Sequence, residues 1–65
     1  MKTVEQMQHD MFRRFFAQTG LYDCKANEIF LREFLKEEGL DVTYENAEVA
    51  AQAVGAQLAN PKDRE

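Results

Sequence analysis

The sequence predicts an all-α fold, a compact three-helix bundle with short connections, and three observations carry that expectation. Apolar residues recur at helical spacing in three segments. Two of the three glycines, Gly20 and Gly39, fall where the first two segments end, and the single proline, Pro61, lies beyond the third. No segment alternates apolar and polar residues long enough to argue for a strand.

The first helix is expected over Val4–Thr19. Thr3 with Gln6 fits a capping box, and Gly20 suits the left-handed position that closes a helix. At about 100° per residue, Val4, Met7, Met11 and Phe15 fall on one stripe, which reads as the core face. Within "MFRRFFAQTG", Phe12 and Phe16 are rotated off that stripe toward Glu5 and His9, with Arg13 and Arg14 on the remaining side. Phe15 therefore faces one neighbour, and Phe12 with Phe16 needs another. That second neighbour is either the third helix or another chain.

The second helix is expected over Cys24–Glu38, with Asp23 as its N-cap and Gly39 after its end. Phe30, Leu31, Phe34 and Leu35 form a broad apolar face, and Ile29 points away from it. Glu28 precedes Arg32 by four residues, the favourable order for a helical ion pair. The third helix starts after "LDVT", with Thr43 as N-cap and Glu45 near the positive end of the helix dipole. Ala47, Ala50, Ala51, Val54 and Leu58 make a stripe of mostly small residues, and Asn60 with Pro61 stops the helix. Gly55 inside it reads first as tolerated sequence drift, with a close backbone crossing over Ala51, Gly55 and Ala59 as the sharper alternative. The expected core anchors are Phe15, Phe30, Phe34 and Leu58.

The organisation is one helical domain over residues 1–60 and a charged tail, "PKDRE", over 61–65. A chain of 65 residues buries only about 60% of its unfolded surface, near the lower limit for a self-sufficient core. One cysteine excludes an intrachain disulfide framework, and one Cys with one His cannot build a cysteine-based zinc site. Self-association as a homodimer is the compensation left open, alongside unusually good helix packing.

Function classes are narrowed mostly by exclusion. "MKTVEQMQHD" has no apolar h-region and no run approaches a membrane span, so a cytoplasmic protein without membrane contact is expected. Net charge is −4, from 12 acidic and 8 basic residues. That balance disfavours nonspecific binding to nucleic acid or anionic lipid. No catalytic, cofactor or metal site is expected. Cys24 and His9 could be read as nucleophile and base, but a lone Cys beside an apolar helix face behaves as a small hydrophobe. Glu5 and His9 at i, i+4 read as a weak local contact rather than ligands.

Read as a complete reading frame, so short a chain is typical of adaptors, inhibitors and accessory regulators, including those of phages and other mobile elements. A small acidic, non-enzymatic protein–protein interaction module is the leading expectation. Aromatic residues and Arg are enriched at interface centres, so Phe12, Phe16, Arg13, His9 and Ile29 are the candidate partner surface. The alternative is a small dimeric transcriptional or nucleic-acid-associated regulator using Lys2, Arg13 and Arg14 of helix one. Recognition through helix three is strongly disfavoured, since Tyr44–Ala59 has no Lys or Arg and carries Glu45 and Glu48.

Overall fold

Local signals place the helices first. The computed structural model describes residues 1–61 and contains α1 (Val4–Thr19), α2 (Lys25–Glu37) and α3 (Tyr44–Val54), followed by a 3-10 turn, Gly55–Gln57. Apart from Pro61, the expected charged tail lies outside the described residues. The Thr3 hydroxyl accepts from the Gln6 amide and the Thr43 hydroxyl from the Asn46 amide, both at 3.1 Å. Each satisfies one of the amides that a helix start leaves without an intrahelical partner. Gly20 ends α1 at φ 79°, its amide donating to the Phe16 carbonyl. Gly39 follows α2 at φ 71°, with Gly39 N–H donating to Lys36 O and Leu40 N–H to Leu35 O. That pair of bonds is a Schellman motif.

The three helices form a compact all-α bundle. α3 packs against both α1 and α2. Ala47 and Ala50 are fully buried at those contacts, and their small side chains let the backbones approach. The larger side chains of Phe12, Phe15, Phe16, Leu31 and Leu35 fill the remaining interior, with Met11 and Leu58 at its ends. Phe15 meets Tyr44 of α3 edge to face at 5.2 Å, and the Tyr44 hydroxyl donates to the Gln18 side-chain oxygen. Phe12 instead faces α2, where the Arg32 guanidinium lies 5.7 Å from its ring centre.

Several expectations are corrected. Val4 and Met7 share the azimuth of Met11 and Phe15 but are 63% and 52% exposed. α1 has 16 residues against 13 and 11 for its neighbours, and its first turns are only partly covered among the described residues. Phe30 is not a core anchor: it is 37% exposed. The buried face of α2 centres on Leu31 and Leu35 and continues through Asn27 and Glu28, which leaves Phe30 at its outer edge. Phe34 packs only partly buried against the core.

α2 also starts one residue later than expected, with Cys24 rather than Asp23 at the N-cap and no side-chain capping bond. The Asn27 side chain holds the Tyr22 carbonyl at 2.8 Å, and this fixes the loop so that Cys24 supplies the first helical carbonyl, to Glu28 N–H.

α3 stops at Val54 rather than running to Ala59, because Val54 leaves helical geometry at φ −127°, ψ 15°. Gly55 takes part in no close crossing: a Cβ placed there would meet nothing within 4 Å, and its φ of −57° suits any residue. Gly55→Ala is therefore expected to stabilise the fold by about 0.4–1 kcal/mol, through lost freedom in the unfolded chain. A thermal melt reads this directly. A lower midpoint would restore the close-crossing interpretation.

Candidate functional site

The aromatic pair singled out in the sequence is not a surface. Phe12 and Phe16 are buried within the single chain, stacked with centroids 6.0 Å apart. Phe12 faces α2 beneath the Arg32 guanidinium, and Phe16 stacks on Phe12 and Phe15 within the same core. A chain in which three long aromatic side chains cover two adjoining helices makes a wide core face rather than a core stripe plus an interface. Buried to this extent, the two rings offer no surface for self-association.

The other residues of the expected surface fall in two places: Ile29 on the outer face of α2, and exposed Arg13 with His9 beside an open hollow at the start of α2. His9 is about half exposed and turns to α2 rather than to Glu5: its Nδ1–H donates to Glu28 Oε1 at 2.7 Å. Because a carboxylate only accepts, this bond puts a proton on Nδ1. Arg32 Nη2 meets the second oxygen of Glu28 at 3.2 Å, so the expected i, i+4 pair forms. Glu28 is thus a nearly buried carboxylate held from both helices, and Phe12 lies beneath the guanidinium. The Arg32 Nε is buried without a hydrogen-bond partner among the described residues. The cluster joins α1 to α2 where their large side chains keep the backbones apart.

His9 and Cys24 do line one open hollow together with Arg13, Asp23, Lys25 and Glu28. No hydrogen bond joins Cys24 to His9 among the described residues, and Nδ1 of the imidazole is committed to Glu28. No group of three or more His, Cys, Asp or Glu side chains there is arranged to hold a metal ion.

The basic residues of α1 and its N-terminus are likewise separated. Lys2 pairs with Asp10, and that hydrogen bond holds the Asp10 carboxyl below the usual aspartate range, with further help from the nearby positive charges. Arg14 lies over the Tyr44 ring at 6.0 Å.

Sequence periodicity did not single out Asn27. Its side chain is 2% exposed yet fully used: Nδ2 donates to Tyr22 O and Ala59 O, while Oδ1 accepts from Ala59 N–H at 2.8 Å. It fastens the segment after α3 onto the start of α2. An Asn on the apolar side of a helix was the available signal.

Among the surfaces the fold leaves uncovered is the outer face of α2. Ala26, Ile29, Phe30, Glu33, Phe34 and Glu37 line a shallow groove of about 460 Å³. Ile29 is 45% exposed and Phe30 forms the adjacent wall. These residues recur at helical spacing and present one continuous strip of α2, the face opposite Leu35. Among the described residues no helix is long and apolar enough to cross a membrane. No protein-family model, curated protein or solved structure matches the chain.

Proposed function

We propose that this protein is a small non-enzymatic interaction module, an adaptor, inhibitor or accessory regulator that works by occupying a surface on another protein. The observation that carries this reading is the groove on α2. Phe12, Phe15 and Phe16 are consumed by the core, whereas Ile29 and Phe30 stand on a regular helix with apolar area facing out. Scattered exposed apolar residues are ordinary, whereas here apolar side chains stand side by side on one rigid element, where a small contact can form. Burying such a strip gains apolar transfer energy without reorganising the bundle, which keeps the cost of association low.

Nucleic-acid binding through α1 has less support. Of Lys2, Arg13 and Arg14, the first is tied to Asp10 and the last lies on Tyr44. A scattered trio of cations supplies few phosphate contacts.

The test is affinity capture from the native host, with bound proteins quantified by mass spectrometry. Three baits are compared: wild type, Ile29→Ser plus Phe30→Ser, and Arg13→Ala plus Arg14→Ala. A partner held by the wild type and the arginine variant, and reduced about tenfold or more on the groove variant, is the expected result. Capture that survives in the groove variant but is lost with the arginines would overturn it.

A further inference from the structure

The groove on α2 carries a charge pattern that narrows its occupant. Glu33 and Glu37 lie one helical turn apart and line it together with the apolar side chains. Neither forms an ion pair among the described residues, in contrast to Glu28 on the same helix, which is held by His9 and Arg32. Lys36, one helical turn from Glu33, forms no ion pair with it and does not line the groove. An apolar strip beside two carboxylates that pair with no cation among the described residues is therefore what a partner meets.

We propose that this groove receives a basic amphipathic helix of a partner protein, an inference that rests on the interaction-module reading and specifies its partner. Apolar residues at i, i+3, i+4 and i+7 of that helix would seat on Ile29, Phe30 and Phe34, as helix-in-groove recognition requires. Lys or Arg flanking them would meet Glu33 and Glu37. The strip from Ala26 to Glu37 is about 16 Å long, or three turns, so a partner segment of equal length covers it. A second copy of this chain fits poorly, because its groove brings the same two carboxylates, Glu33 and Glu37, and no Lys or Arg to meet them in a partly dehydrated interface. The same carboxylates repel nucleic acid and anionic lipid. A contact of this size belongs to the weak, transient class, with affinity that falls as salt screens the carboxylates.

The probe is a synthetic helical peptide of about 15 residues, with Leu at the seating positions and Lys at the flanks, compared with a twin in which every Lys is Glu. Binding is followed by amide chemical-shift mapping and by fluorescence anisotropy at low and high salt. The Lys peptide is expected to shift amides around Ile29–Phe34 and to bind about tenfold or more tightly than its twin. Phe30→Ser should abolish that difference in the groove, with a thermal melt confirming that this exposed substitution leaves the fold intact. Glu33→Lys plus Glu37→Lys should reverse the preference.

Equal binding of both peptides in the groove would overturn the charge assignment while leaving the interaction-module reading standing. Shifts spread over the acidic surface, or centred on Val4 and Met7, would overturn the groove as the site. Sedimentation equilibrium supplies the remaining arm: a dimer abolished by Phe30→Ser would make a second copy the occupant and overturn the proposal.

Discussion

Replacing Phe12 and Phe16 together by Gln is expected to unfold this protein. Both rings are essentially inaccessible to solvent and stack on one another between α1 and α2. Truncating one buried Phe costs about 3–5 kcal/mol, and each new amide would sit in the same interior without a partner, which adds to the penalty. Chains of this size rarely hold more than about 3–5 kcal/mol of net stability, so the double substitution exceeds what the fold has. Far-UV circular dichroism should show loss of most helical signal and no cooperative melt. Phe16→Leu, which keeps an apolar side chain of nearly sufficient volume, is expected to melt cooperatively at a lower temperature. A double Gln variant with a near wild-type midpoint would mean that the rings are dispensable to the core and available to a partner.

Asn27→Ala is the second substitution with a large expected effect. It removes two bonds from Nδ2 and one to Oδ1, and strands the Tyr22 carbonyl together with both backbone groups of Ala59. Each buried polar group left unpaired costs about 1–3 kcal/mol. Tyr22 and Ala59 are only partly buried, so water recovers some of this, and a net loss of about 2–4 kcal/mol is expected. Hydrogen exchange separates this from a general loss of packing. The Ala59 amide should exchange far faster than those of Leu31 or Leu35, as the segment after α3 detaches before the bundle opens.

Asn27→Asp makes the same point electrostatically. A carboxylate here would face two carbonyl oxygens, so burial and repulsion both favour its protonated form and raise its folded-state pKa. The penalty is present above that raised pKa and shrinks as pH falls through it. Unchanged melting and a protected Ala59 amide in the Ala variant would show that the network is ornamental.

The positions of the three helices were legible in the sequence because what positions them is local. Thr3 and Thr43 cap amides three residues away, and Gly20 and Gly39 bond carbonyls within the last turn. The Glu28–Arg32 pair is likewise four residues long. Ile29 could be read as outward-facing from its azimuth alone, and it lines the groove proposed as the contact. Phe30 could not, because it lies on the boundary between the inward and outward faces of α2. Only the position of the neighbouring helices decides such a boundary.

The same limit explains the other differences. Periodicity assigns each side chain an angle about its helix axis, but not where along that axis a neighbour begins or ends. Val4, Met7, Met11 and Phe15 share one stripe, and only the last two are buried. Phe12 and Phe16 have an azimuth that sequence could compute and a neighbour that it could not. The Asn27–Ala59 bonds link positions 32 residues apart, and the His9–Glu28 pair 19. Such pairings depend on how the chain returns on itself after each glycine. Backbone hydrogen bonds within a few residues determined the three helices from sequence; packing between them decided which aromatics became core and left one face of α2 open.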